Sequence, residues 1–344
     1  MSKKCDLQIE LEESAATGRY RPGDEIAGTL RVQVNADCKC RTLPVTLSWR
    51  THGIGNTDTL EVGRVEVGPF EWQAGSTHEF PFRFTMPNGP VSYRGKLINV
   101  DWYIEAEADL AWARDPKVER DVLLLPMPAE MVDGDPYRGG GRVQARKHEQ
   151  GQNTHIDPLV VLFPFSIFWA LMVFWWMPAW DNTFMVVMGL LVGGLPIFIF
   201  GLPLFWRRAG KSAVGAMDIS FTPETATKGE DLTVSMSIKP NKRLQVNSIK
   251  GTLMGVEVAI SGHGTDRVTH RHTLHEQEFV WMESAQSISP ASGSEFTWAT
   301  RLPADAAPSF SAEDNKVLWA IEVHVDIPRW PDHKERREFT VYPS

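Results

Sequence analysis

Cysteine is scarce: Cys5, Cys38 and Cys40 are the only three in 344 residues, too few for a disulfide framework. Cys38-x-Cys40 has the spacing of half a metal site, but no second pair completes it. An excess of basic charge is also missing. The chain has 35 Lys and Arg against 43 Asp and Glu, a net charge of −8, and no dense basic face, which excludes nucleic acid as a partner. Met1 to Asp6 leads straight into an alternating strand pattern, with no apolar stretch of the signal-peptide kind. Catalytic signatures are lacking too. Ala209-Gly210-Lys211-Ser212 resembles the end of a phosphate loop, but the first glycine of that motif would fall at Phe205. His275-Glu276 lacks the second histidine of H-E-x-x-H, and no G-x-S-x-G elbow occurs. The expectation is a non-enzymatic protein without a cofactor.

What the chain does have is an apolar block. Leu159–Trp180 is 22 uncharged residues and Thr183–Trp206 is 24, separated by Asp181 and Asn182. A helix needs about 20 apolar residues to cross a bilayer, so length alone predicts a two-helix transmembrane hairpin over 158–206. Trp175, Trp176, Trp180 and Trp206 gather near its ends, where an interfacial aromatic belt would lie. Arg138, Arg142, Arg146 and Lys147 precede the block, while Arg207, Arg208 and Lys211 follow it. The positive-inside rule then places both termini and both flanking parts in the cytoplasm of an integral, two-span membrane protein. Arg207, Arg208 and Lys211 are candidate contacts to anionic lipid headgroups. Gly189-x-x-x-Gly193 is a candidate helix-packing face, used between the two spans or in a homodimer.

The flanking parts read as all-β. Leu7–Leu11, Leu30–Val34 and Phe80–Phe84 alternate with period two, punctuated by turns at 21–24, 52–56 and 87–90. The second part repeats the plan. Thr227-Lys228-Gly229-Glu230-Asp231 stands where Tyr20-Arg21-Pro22-Gly23-Asp24 stands in the first. Ser92, Trp102, Glu105, Asp115 and Lys117 recur as Ser309, Trp319, Glu322, Asp332 and Lys334, each 217 positions on. That constant offset indicates two copies of one sandwich. The domains are then 1–126, a first β-sandwich; 127–157, a flexible linker; 158–206, the hairpin; 207–215, a short linker; and 216–344, a second β-sandwich.

Three motifs carry a family resemblance: Arg21-Pro22-Gly23-Asp24 after the first strand; Phe82-Arg83-Phe84-Thr85-Met86-Pro87 followed by Pro90-Val91-Ser92-Tyr93; and Trp112-Ala113-Arg114-Asp115-Pro116-Lys117-Val118-Glu119. In this order they resemble the arrestin-like fold family of arrestins, α-arrestin trafficking adaptors and retromer subunits. The resemblance covers both flanking parts and no part of the apolar block. It implies tandem β-sandwiches that catalyse nothing and bind protein partners or membranes. Arrestins join their sandwiches by a short connector, whereas about 90 residues intervene here. No Pro-Pro-x-Tyr motif of the α-arrestin kind is present.

The function expected is a membrane-anchored arrestin-like scaffold or adaptor. An accessory subunit assembled through its transmembrane hairpin is the alternative. The candidate contact loops are two glycine-rich polar hairpin tips: His52, Gly53, Ile54, Gly55 and Asn56, and Gly262, His263 and Gly264. A metal-dependent hydrolase built on His263–His275 is a third reading. On a strand, His270 and His272 share a face about 6.5–7 Å apart, but a third ligand such as His275, Glu276 or Glu278 would have to join them.

Overall fold

The computed structural model describes residues 4–12, 18–112, 115–127, 214–328 and 332–343. In the first part the strands are β1 (Cys5–Leu11), β2 (Arg19–Tyr20), β3 (Glu25–Val34), β4 (Cys38–Gly53), β5 (Thr59–Val67), β6 (Phe70–Trp72), β7 (Thr77–Thr85), β8 (Tyr93–Arg94), β9 (Ile98–Glu107), β10 (Asp109–Leu110) and β11 (Lys117–Leu124). One sheet runs β1-β3-β7. The other runs β10-β4-β9-β11-β2, with β5 and β6 paired to β4 and β8 to β9.

The second part contains β12 (Ala216–Thr222), β13 (Thr225–Thr227), β14 (Asp231–Lys239), β15 (Leu244–Val246), β16 (Ser248–Ser261), β17 (Val268–Met282), β18 (Gln286–Ile288), β19 (Ser294–Arg301), β20 (Phe310–Ser311), β21 (Asn315–Asp326) and β22 (His333–Tyr342). Its sheets run β12-β14-β19 and β13-β22-β21-β16-β17, with β20 on β21. A separate pair joins β15 to β18.

Alternation of side chains across each strand makes the sandwiches. On β9, Ile98, Val100, Trp102, Ile104 and Ala106 are buried, while Asp101 and Glu105 face outward with Arg94, Arg50 and Lys117 as partners. On β21, Val317, Trp319, Ile321, Val323 and Val325 are buried at alternate positions. Close packing of neighbouring strands within the β1-β3-β7 sheet also fixes one glycine. A Cβ on Gly28 would lie 2.6 Å from the Glu10 carbonyl and 2.7 Å from the Phe82 ring.

The residues that carry the sequence repeat make the same bonds in both parts. Trp102 Nε1 donates to the Pro90 carbonyl and Trp319 Nε1 to the Ala307 carbonyl, both at 2.8 Å. Ser92 Oγ accepts from Leu124 N and Ser309 Oγ from Val341 N, at 3.0 and 2.9 Å. In the turns, Arg21 N donates to Asp24 and Thr227 N to Glu230, each at 2.7 Å. Each of these two buried indoles satisfies its N–H on the carbonyl twelve residues earlier.

The expected fold class needs correction. The described residues are all-β, with a three-residue 3-10 turn at Gly264–Asp266, and no helix among them is long and apolar enough to cross a membrane. The two-helix transmembrane hairpin is therefore withdrawn, and with it the integral, two-span, cytoplasm-facing placement. Residues 158–206, including Gly189 and Gly193, lie outside the described residues, as do Arg207, Arg208 and Lys211. The expectation rested on the length of an uncharged run. Length is necessary for a span, but it does not set conformation.

Candidate functional site

The site with the most chemistry in it is the junction between the sandwiches. Strand β16 extends past the second core, and its inward positions Leu253, Gly255, Glu257 and Ala259 follow one another at period two. Glu257 occupies one of them and is 0% exposed. Its carboxylate crosses into the first sandwich at the β8–β9 turn. There it accepts from Tyr93 Oη at 2.6 Å, from Leu97 N at 2.7 Å, and from Lys96 N at 3.0 and 3.2 Å. No ion pair to Glu257 forms among the described residues. A buried carboxylate is tolerated only when hydrogen bonds replace its water, and two backbone N–H groups and a phenol do so here. Burial pushes the Tyr93 phenol well above its ordinary value, and its bond to the Glu257 carboxylate and that group's charge push it further.

A second crossing runs the other way. Asp58, on the hairpin after β4, accepts from Asp314 N at 3.2 Å on both oxygens and from Asn315 Nδ2 at 2.7 Å. Asn315 is 2% exposed, and its Nδ2 also lies 3.0 Å from Thr51 Oγ1 and 2.6 Å from the Asn56 carbonyl. Asn56 bonds the second sandwich through both its backbone and its side chain. Its N donates to the Ile260 carbonyl at 2.8 Å, and its side-chain amide both accepts from Gly262 N and donates to Gly262 O. Asn56 Nδ2 also reaches Asp314 at 2.8 Å, and Arg267 pairs with the same carboxylate at 2.6 Å.

The crossings are related by the internal repeat. Leu97 and Asp314, whose N–H groups hold the two acids, lie 217 positions apart. Thr51 pairs with Val100 on β9, and Glu257 pairs with Val317 on β21, again 217 apart. The two turns close alike, with Gly95 N to Ile98 O and Ala312 N to Asn315 O both at 2.9 Å. Around them Phe310 packs edge-on against Trp49, with ring centroids 5.7 Å apart, and Ala259 and Ala312 join the first sandwich's core. A small crevice lies alongside, lined by Pro90, Val91 and Tyr93 from one sandwich and Pro308, Ser309 and Phe310 from the other.

This geometry places the sequence-predicted contact loops differently from solvent-facing tips. Gly55, Asn56 and Gly262 sit inside the junction; a Cβ on Gly55 would meet Asn315 Oδ1 at 2.6 Å. Gly53, at φ +141°, lies so close to Leu97 that a Cβ there would be 1.9 Å from its carbonyl. His52 bonds Tyr103 Oη at 2.7 Å. Ile54, His263 and Gly264 remain exposed. Sequence reasoning missed Glu257, Tyr93, Gly95, Leu97, Asp314 and Asn315. The available signal was polar residues at inward positions of alternating strands, Glu257 between Gly255 and Ala259 being the plainest.

The histidines of β17 are held by separate partners. Register shifts between Gly255 and Val256, so His270, His272 and His275 stand opposite Ala259, Glu257 and Gly255. His270 bonds Ser261 Oγ at 3.0 Å, and His275 packs on Trp319 with centroids 6.0 Å apart. No group of three or more potential ligands comes together among the described residues. Cys5, Cys38 and Cys40 are buried free thiols in the first core.

No family model matches the chain, and no curated protein matches it. Among solved structures it is similar to the crystal structure of Spo0M, sporulation control protein, from Bacillus subtilis. Identity is 17% and the TM-score 0.30, over 37% of this chain and 49% of that one. The chain thus spans about half the length of that structure's chain.

Proposed function

We propose that the protein is a non-enzymatic regulatory scaffold, in which two β-sandwiches held at a fixed angle present a composite surface to a protein partner. The junction is the observation that supports this reading. Its two crossings hold one acid each, Glu257 fully buried and Asp58 half-buried, and exchange side chains between parts of the chain some 160–264 residues apart. A loose pair of independent binding modules has no need of such contacts, since inter-domain motion is the default where the interface is not specific. The resemblance of the sequence motifs to arrestin-like adaptors points the same way.

The test compares the full chain with its Asn56→Ala/Asn315→Ala variant by quantitative affinity capture from a native extract. The expected result is a defined partner set that falls at least tenfold with the variant, while thermal unfolding of the sandwiches is unchanged. Equal recovery by both chains would refute a composite surface.

A further inference from the structure

We propose that the β8–β9 turn, residues 93–97, is a carboxylate-binding site, that Glu257 is its resident ligand, and that an acidic side chain of a protein partner can take its place. The identity of the incoming ligand rests on the scaffold reading; the site itself does not.

Three features define the ligand class. The donors match the two oxygens of a planar carboxylate: Tyr93 Oη on Oε1, Leu97 N on Oε2, and Lys96 N within reach of both. The charge matches a monoanion, because among the described residues neutral groups alone hydrogen-bond it and no ion pair reaches it. The space also matches. A Cβ on Gly95 would fall 1.7 Å from Glu257 Oε1 and 2.7 Å from the Tyr93 ring, so the cradle has the depth of a flat group only because residue 95 has no side chain.

The second copy of the turn supports the assignment independently. At the positions equivalent to Tyr93 and Gly95 it has Phe310 and Ala312, so it lacks both the hydroxyl and the open cradle. Its N–H at Asp314 nevertheless holds an acid, Asp58, with Asn315 Nδ2 as the added donor. Two versions of one turn in one chain each bind a carboxylate from the other sandwich. The turn itself is therefore the recognition element, and the deeper version is the one equipped to bind a carboxylate that is not tethered.

The test uses the full chain carrying Glu257→Ala, with acetate titrated against chloride at constant ionic strength. The readout is hydrogen exchange at the Lys96 and Leu97 amides. Exchange there should rise at least tenfold in the variant and return saturably towards the native rate with acetate. Acetate acting no better than chloride would overturn the site. Glu257→Gln guards against misfolding: it fills the space, so its faster exchange should not respond to acetate. Adding Gly95→Ala to Glu257→Ala should abolish the acetate response, since a methyl group then fills the cradle. A short peptide with one internal Glu should compete with acetate where its Gln counterpart does not. If acetate binds and the Glu peptide fails to compete, the site stands but replacement by a partner is overturned.

Discussion

Replacing Asn315 with Ala should undock the sandwiches without unfolding either. The Asn315 side chain sends its Nδ2 into the first sandwich alone, towards Thr51, Asn56 and Asp58. The bond that shapes its own turn is made by the backbone carbonyl, to Ala312 N, and survives the change. Nδ2 has two hydrogens for three acceptors at 2.6, 2.7 and 3.0 Å, so two bonds are lost. One goes to a carboxylate, worth about 1.5–3 kcal/mol, and one to a neutral acceptor, worth about 0.5–1.5 kcal/mol. Together they give about 2–4.5 kcal/mol, which is roughly a 30- to 1,600-fold fall in the docking equilibrium. Site-resolved hydrogen exchange separates the two readings. Asn56 and Asp314, whose N–H groups bond across the junction, should exchange faster by about that factor. Strand amides of β9 and β21 deep in each core should not change. A uniform rise across β21, or no rise at Asn56, would refute the assignment of these bonds to docking.

Deleting Gly53–Asp58 removes Asn56 and Asp58 together, so it should open the junction as well as remove a hairpin tip; faster exchange at Asp314 in the deletion would show this. Gly28→Ala forces a methyl group against the Glu10 backbone and should cost about 1–3 kcal/mol, read as a lower unfolding midpoint of the first sandwich. Trp319→Phe strands the Ala307 carbonyl that its indole N–H satisfies, and should destabilise the second sandwich by about 1–3 kcal/mol in a denaturant titration. Burial pushes the Cys5 thiol up to about 11 and the Cys40 thiol up to about 12, and nearby acidic and thiol groups add to the effect. Both should resist alkylation at pH 8 in the native protein and react once it unfolds. Because these values are raised on folding, their contribution to stability is complete below about pH 8.5 and is lost as pH climbs towards 11–12.

The strand pattern and the repeat could be read from the residues because both are local. Trp102 and Trp319, or Ser92 and Ser309, show their equivalence in a sequence comparison of the two halves. The junction could not be read this way, because its donors and acceptors belong to turns that meet only after both sandwiches have formed. Asn56 and Gly262 looked like polar residues suited to an outside partner, and the partner they suit is each other. Glu257 sat at an inward position without an evident partner, since the groups that satisfy it are two backbone amides and a phenol more than 150 residues earlier. The apolar block misled for a different reason. The count of uncharged residues over 158–206 was read as a conformation.

The two crossings make the junction a bivalent contact within one molecule. When either acid leaves its turn, the other keeps the freed group within a few ångströms, at an effective concentration far above that of a soluble competitor. Rebinding should therefore win against a partner that contacts one turn only. Opening the angle between the sandwiches calls for a partner that holds both turns, or that holds one turn long enough for the other to release.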